Sequence, residues 1–389
     1  ESLIGRQQML AMLVMVVAVL GSCYVSEAKC DYQAIFNFGD SNSDTGGFWA
    51  AFPSQPGPNG MTYFKRPSGR ASDGRLVIDF LAQAIGQPFV SPYLQSIGSN
   101  YQHGANFATL ASTVLLPKTS LFESGLSPFA LPVQLNQMKD FKARVLEQSS
   151  SSGTFFFSGG YLPPSDIFGN ALYTLHIGQN DFTSNLPSVG LGGIKDISWQ
   201  VVSKIDETVK ELYNLGGRTI LVFNLAPIGC FPMFISQLPH QSNDFDQSGC
   251  MMSYNNAVVE YNNMLKGTLQ HTREGLGDAS IIYVDLYSIY LELFRAPQNH
   301  GLTYGPKACC GVGGGDYNYN PEVFCGNTKV VNGKSLTATA CSDPQNYISW
   351  DGIHATEAAN KQITSAILSG SYFDPPFALN QRCDIQQIG

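Results

Sequence analysis

Five short apolar runs stand out along the chain, at residues 34–38, 87–90, 172–177, 219–225 and 280–286, each set between longer helical patterns. Runs of this length and spacing predict parallel strands covered on both faces. Apolar positions recur with a helical period over 131–148, 197–215, 250–270 and 356–368, and each of these stretches precedes or follows one of the strands. The alternation predicts one doubly wound α/β domain. Long connections interrupt it: a Pro/Gly loop at 53–60, a Ser-rich stretch at 149–160 and a Cys- and Gly-rich segment at 305–343. No polar repeat or charge block marks a boundary, so these read as insertions on the domain and not as linkers.

Composition narrows the class. The 389 residues are 43% hydrophobic, 12% aromatic and 13% charged, which supplies a core and excludes disorder as the main state. Twenty-two Lys and Arg stand against 30 Asp and Glu, a net charge of -8 with no basic run. A nucleic-acid partner would meet repulsion instead of counterion release, so none is expected.

The N-terminus adds a destination. Arg6, the apolar run at 9–20 and the small residues Ser26 and Ala28 predict a secretory signal peptide over 1–28. The run falls short of the ~20 residues a membrane span needs. The polar tail at 381–389 carries no lipid-anchor signal, so no stable membrane insertion is expected. No Met precedes Arg6, and the chain is expected to start further upstream. The mature product is then a secreted protein of residues 29–389, forming a single domain with loop insertions.

Cleavage after Ala28 removes Cys23 and leaves Cys30, Cys230, Cys250, Cys309, Cys310, Cys325, Cys341 and Cys383. An even count in an oxidising compartment predicts four disulfides. Neighbouring cysteines rarely satisfy disulfide geometry with each other, so Cys309 and Cys310 should bond to different partners, with the connectivity left open. A zinc site in the cluster Cys309, Cys310, Cys325 and Cys341 lacks any C-x-x-C spacing. No metal or other cofactor is expected.

The first predicted strand runs into Gly39-Asp40-Ser41-Asn42-Ser43-Asp44. The carboxyl ends of strands in an open parallel sheet face the ligand crevice, so Ser41 emerges where function usually sits. Gly39 allows a sharp turn and Asp44 suits a helix cap. A small polar turn after a strand is commonplace, and this block alone identifies no nucleophile. Three further blocks follow: Gly104 in His103-Gly104-Ala105-Asn106-Phe107-Ala108, Asn180 in Gly178-Gln179-Asn180-Asp181, and His354 in Trp350-Asp351-Gly352-Ile353-His354. In this order the four blocks resemble the GDSL-type esterase/lipase family, the SGNH hydrolases, and most closely its secreted plant branch. The likeness runs from Ala34 to about Asp374 and includes Pro227-Ile228-Gly229-Cys230 and Cys309-Cys310-Gly311. Asn42 stands where the family name places Leu, a departure that bears on the pocket more than on the chemistry.

The resemblance implies a flavodoxin-like three-layer α/β/α fold with a five-stranded parallel sheet. It also implies a serine esterase that hydrolyses carboxylic esters of a plant metabolite, cell-wall sugar or lipid through an acyl-serine intermediate. Two alternatives accompany it: acyl transfer from the same acyl-enzyme to an alcohol, and fucosidase-like glycoside hydrolysis, which usually needs two carboxylates flanking the bond. A serine hydroxyl is a poor nucleophile without a positioned base. His354 supplies that base and Asp351 orients it, since Asp-x-x-His spacing puts both side chains on one turn. Among six histidines only His354 has an acid at this spacing, in a Gly-containing loop before a helix. The family's oxyanion donors carry over to the backbone N–H of Ser41, the backbone N–H of Gly104 and the side-chain amide of Asn180. Asp40 and Asp181 read as structural partners of the turns. Phe48, Trp49, Phe52, Phe107, Phe182, Phe231 and Phe234 cluster near the blocks and fit either core packing or an apolar wall beside the site.

Overall fold

The computed structural model of the protein describes residues 29–52, 54–151 and 160–389, and the signal-peptide expectation for 1–28 lies outside them. Four of the five apolar runs are strands of one sheet: β1 (Ala34–Gly39), β3 (Ala171–His176), β4 (Thr219–Phe223) and β5 (Ser280–Val284). Their residues are almost all buried, which is the condition that lets a strand be apolar at consecutive positions. Phe36 lies beside Tyr173 and Leu221 beside Ile282 in parallel register.

The run at 87–90 is not a strand. The second strand of the sheet, β2, is Gly104–Asn106, paired in parallel with β1. Pro88 and Pro92 lack the N–H groups a ladder needs, and the segment touches the sheet edge only at Pro92, which bridges to Asn106. The five parallel strands follow the order β2-β1-β3-β4-β5, and Phe373–Asp374 adds a short antiparallel strand to β5. That order is the flavodoxin-like one.

The four helical patterns are present as Leu131–Ser151, Gln179–Asn214, Met252–Gly275 and Glu357–Leu368. The second begins 18 residues before its periodic part at 197 and changes direction at Gly190, where φ is 61°. The shorter helical turns had no counterpart in the periodicity, nor did two helices of eight or more residues, Val77–Ala84 and Leu286–Arg295. Helix Glu357–Leu368 packs with both of these, while Gln179–Asn214 packs with Met252–Gly275 and Leu131–Ser151, so the sheet lies between two helical layers. Buried ion pairing ties the segment before helix Val77–Ala84 to the start of helix Glu357–Leu368: Arg75 meets Glu357 at 2.8 Å, and Asp73 accepts the Glu357 N–H at 2.7 Å. Among the described residues no helix is long and apolar enough to cross a membrane.

The eight cysteines among the described residues all pair, as Cys30–Cys383, Cys230–Cys250, Cys309–Cys341 and Cys310–Cys325. The adjacent Cys309 and Cys310 do bond to different partners. Their two bridges close a lobe over 305–343 that carries an exposed hairpin, Thr328–Val331 with Lys334–Thr337. Trp350 is buried against these cysteines.

Candidate active site

Where strand order reverses, between β1 and β3, loops leave the sheet in opposite directions and open a crevice at the carboxyl ends of the strands. Ser41 sits in the turn that follows β1, and Asn180 in the first turn of the helix that follows β3. His354 comes to the same place from the loop between strand Tyr347–Ser349 and helix Glu357–Leu368.

The three side chains expected to act together are in contact. His354 Nε2 lies 2.8 Å from Ser41 Oγ, and His354 Nδ1 lies 2.7 Å from Asp351 Oδ2. Asp351 Oδ1 accepts the backbone N–H groups of Ile353 at 3.0 Å and His354 at 2.9 Å. A carboxylate accepts only, so Nδ1 carries the proton and Nε2 is left to accept from the serine hydroxyl. Burial pushes the Asp351 carboxyl up, but the His354 charge and hydrogen bonds outweigh it and leave the group below the usual carboxylate range. Burial lowers His354 in turn, and the charge and hydrogen bond of Asp351, with the charge of Asp40, outweigh that and raise it. The base is thus matched to an acid that stays ionised.

The other histidines have local roles. His176 stacks on Phe223, and burial lowers it to about 4; His240 stands edge-on to Phe245. His271 and His300 face Glu274 and Glu292, and His103 Nδ1 lies 3.1 Å from the Gln33 carbonyl.

Three buried carboxylates hold the loops around Ser41. Asp40 Oδ1 accepts the Asn42 backbone and side-chain N–H groups, each at 2.9 Å. Asp44 accepts the N–H groups of Gly46, Gly47, Phe48 and Leu110, and Asp181 those of Val114 and Leu115. Burial pushes Asp40 and Asp44 up to about 6 and Asp181 up to about 7. These acids act on backbone, in keeping with the structural role expected of Asp40 and Asp181.

Gly104 is not brought to the site. It opens β2 in register with Ile35, while Ser41 lies past the far end of β1, ~13 Å further along the strand direction. Its N–H already donates to the Tyr101 carbonyl at 3.0 Å. The glycine is there for close approach, since a Cβ would lie 1.9 Å from the Ile35 carbonyl oxygen. The segment that does reach the serine is 109–115. Thr109 donates its N–H to the Gly39 carbonyl, Leu110 to Asp44, and Val114 and Leu115 to Asp181. Asn180 Nδ2 donates to the Ser112 carbonyl at 2.8 Å, which sets the Asn180 amide beside this loop. Within it Ala111 has φ 63°, a left-handed conformation uncommon for a residue with a Cβ. Among the described residues neither the Ala111 N–H nor the Ser41 N–H donates to a protein acceptor.

The aromatic residues divide. Phe107, Phe182, Phe231 and Phe234 are core, whereas Phe48, Trp49 and Phe52 form a partly exposed stack on and beside the short helix Gly47–Ala51. Trp49 lines a cavity of about 640 Å³ with Phe64, Arg66 and Phe89, and none of Ser41, Asn180, Asp351 or His354 borders it.

A serine, a histidine and an aspartate in hydrogen-bonded series on a flavodoxin-like sheet define a serine hydrolase constellation. The profile of the family GDSL-like Lipase/Acylhydrolase matches residues 35–367. A GDSL esterase/lipase of Arabidopsis thaliana is 57% identical over 380 residues, 98% of each chain. An esterase of Hevea brasiliensis is 40% identical over 94% of this chain and 92% of its own, and alpha-L-fucosidase 3 of Arabidopsis thaliana is 42% identical over 88% and 91%. The chain belongs to the GDSL-like lipase/acylhydrolase family, whose members are serine ester hydrolases.

Proposed function

We propose that the protein is a secreted esterase that cleaves carboxylic esters of a plant metabolite, cell-wall sugar or lipid through an acyl-Ser41 intermediate. The observation that carries this is the series Ser41 Oγ to His354 Nε2 at 2.8 Å and His354 Nδ1 to Asp351 Oδ2 at 2.7 Å. In the first step Ser41 Oγ attacks the ester carbonyl carbon while His354 Nε2 takes its proton, and Asp351 offsets the imidazolium charge. The tetrahedral oxyanion collapses, the C–O bond to the alcohol breaks, and His354 returns its proton to the leaving alkoxide. Water then repeats the sequence on the acyl-enzyme and releases the acid.

The oxyanion falls to the Ser41 N–H, the Asn180 side-chain amide and the Ala111 N–H. Ala111 takes the part that the resemblance gave to Gly104, because its loop borders Asn180 and its N–H has no other acceptor among the described residues. Residues 29–389 act as one hydrolase domain, since the triad draws on both ends of the chain and the Cys30–Cys383 bridge joins them. The four disulfides support secretion. Glycoside hydrolysis, the activity in the name of one relative, finds little support. Asp351 is engaged by His354, Asp44 and Asp181 by backbone donors, and Asp40 by Asn42 through Oδ1 alone.

The test is a panel of acetyl, feruloyl and long-chain acyl esters with the purified protein beside a Ser41→Ala variant, run in water and with added alcohols. Release of free acid by the wild type alone is expected. An acyl group passed mainly to the alcohol would replace hydrolysis by transfer, and equal activity in Ser41→Ala would remove the acyl-serine.

A further inference from the structure

The Asp351–His354 turn is backed by the disulfide lobe at three successive points. The Cys309 N–H donates to the Ser349 carbonyl at 3.0 Å and the Cys310 N–H to the Trp350 carbonyl at 2.6 Å. The third point is Gly352, between the acid and the base. Its φ is 102°, its N–H donates to Ser349 Oγ at 3.0 Å, and its carbonyl accepts the Met233 N–H at 3.0 Å. The space where a Cβ would stand is filled by the Tyr319 ring, with Cδ2 only 2.5 Å from that position and Cε2 3.1 Å.

Tyr319 belongs to the lobe and not to the hydrolase sheet. Asn318 aims it: this residue has φ 50°, donates Nδ2 to the Ala308 carbonyl at 2.9 Å and accepts the Gly313 N–H at 2.9 Å. The Tyr319 hydroxyl is buried and has no hydrogen-bond partner, so what the residue offers the turn is its ring. Burial first, then the nearby Asp351 charge, raises its ionisation well above the ordinary tyrosine range, so it stays a neutral phenol.

We propose that Tyr319 is a positioning residue for the catalytic acid and base: its ring, pressed on Gly352, holds the turn in the one geometry that points Asp351 at His354 Nδ1 and His354 at Ser41. The proposal rests on the reading of Asp351 and His354 as the catalytic pair. The ring acts through van der Waals contact with a glycine that no other residue could replace without a clash. The groups facing His354 are Ser41, Asp351 and Asp40, and those facing Asp351 are His354 and Tyr319. Loosening the turn weakens the Asp351 hydrogen bond, which is one of the influences that raise the imidazole.

The experiment compares Tyr319→Phe, Tyr319→Ala and Asp351→Asn with the wild type on a neutral ester across pH 5 to 9, alongside thermal unfolding. Tyr319→Phe keeps the ring and should retain wild-type kcat and pH midpoint, with equal or higher Tm from loss of an unpaired hydroxyl. Tyr319→Ala should lower kcat at least tenfold with little change in KM and move the midpoint of kcat/KM down. A structural role alone would lower Tm or the active fraction and leave the midpoint in place. Should Tyr319→Ala not fold, Tyr319→Leu is read by the same criteria. A folded Ala or Leu variant with kcat within twofold and an unmoved midpoint overturns the proposal, as does a Phe variant as slow as Ala. Normal activity in Asp351→Asn would instead overturn the reading of the site itself.

Discussion

Replacing Asn180 by Ala separates a catalytic role from a structural one, because the two have different sizes. Among the described residues the amide makes one hydrogen bond, from Nδ2 to the Ser112 carbonyl at 2.8 Å. Losing a single hydrogen bond of this kind costs about 0.5–1.5 kcal/mol of stability. The loop should keep its place, since Leu110 remains tied to Asp44 and Val114 and Leu115 to Asp181. Losing an oxyanion donor costs about 3–4 kcal/mol in the transition state, or roughly a hundredfold to a thousandfold in kcat. Since the donor acts on charge that exists only in the transition state, KM should change little. Steady-state kinetics on a neutral short-chain ester give the second quantity, and urea unfolding of the same variant gives the first. A kcat within threefold of wild type, or a loss confined to KM, would remove Asn180 from the oxyanion site and leave it a loop staple. Asn180→Asp is the companion variant: it keeps the shape but cannot donate when ionised, so it should be at least as slow as Ala.

Three other outcomes follow from the geometry. Asp44→Asn puts an amide NH₂ against one pair of the N–H groups that Asp44 now accepts, at about 1–3 kcal/mol for each donor left unpaired, so urea unfolding should show a loss of at least ~2 kcal/mol; an unchanged midpoint would mean the loops do not depend on it. Ala111→Gly keeps the N–H and removes the left-handed penalty of ~1–2 kcal/mol, partly offset by ~0.5–1 kcal/mol of chain entropy, so stability should rise slightly with kcat preserved, and a loss of stability would contradict the strain assigned to this residue. His354 must be neutral to take the serine proton, and since it is raised, kcat/KM should climb with pH to a plateau through a midpoint above the ~6.5 of free histidine. Asp351→Asn should lose several powers of ten by mispositioning the imidazole, ~10⁴-fold in the serine-protease triad; a flat wild-type profile between about pH 5 and 8 would dismiss the base.

Legibility of the sequence followed the physical signal behind each feature. Strands β1, β3, β4 and β5 were visible because burial on both faces demands consecutive apolar residues, as in Thr219–Phe223. Gly104–Asn106 was invisible because three residues with one small apolar side chain carry no pattern, and 87–90 imitated a strand because Phe89 and Val90 are apolar for another reason, the loop's own packing. Helix Val77–Ala84 has only eight residues, and two turns are too short a window for a helical period to stand out. The meeting of Ser41, His354 and Asp351 could be expected because each sits in a short local block with a distinctive residue type, and the three are hydrogen-bonded in series. The oxyanion glycine could not, since a glycine beside Asn106 and Phe107 looks the same whichever end of β2 it occupies. Ala111, to which we assign the third donor, has no signature at all, because a positive φ leaves no mark in the sequence.

The buried acids that assemble the site set its stability against its activity. Asp40, Asp44 and Asp181 are raised to about 6 or 7 by burial, and Asp73 is raised as well. A carboxyl whose folded pKa exceeds its unfolded value binds more protons when folded, so stability falls as pH rises from the unfolded value of ~3.9 through the folded one. His354, also raised, adds stability below ~6.5 that is lost as pH climbs through its folded value. His176, lowered to about 4, works the other way and favours the fold as pH rises from 4 to ~6.5. Asp351 lies below the usual range, and its contribution disappears only as pH falls through its depressed value. Four raised acids outweigh one lowered histidine over the same range, so stability should fall between about pH 4 and pH 7, with the raised His354 adding to the loss, and should be lower at pH 8 than near pH 4. Activity runs in the opposite sense, because the same rise in pH frees His354 to act. Urea midpoints measured from pH 4 to 8 beside the pH–rate profile display the opposition directly. Stability that increases steadily to pH 8 would mean the raised acids do not carry the cost of burial assigned to them.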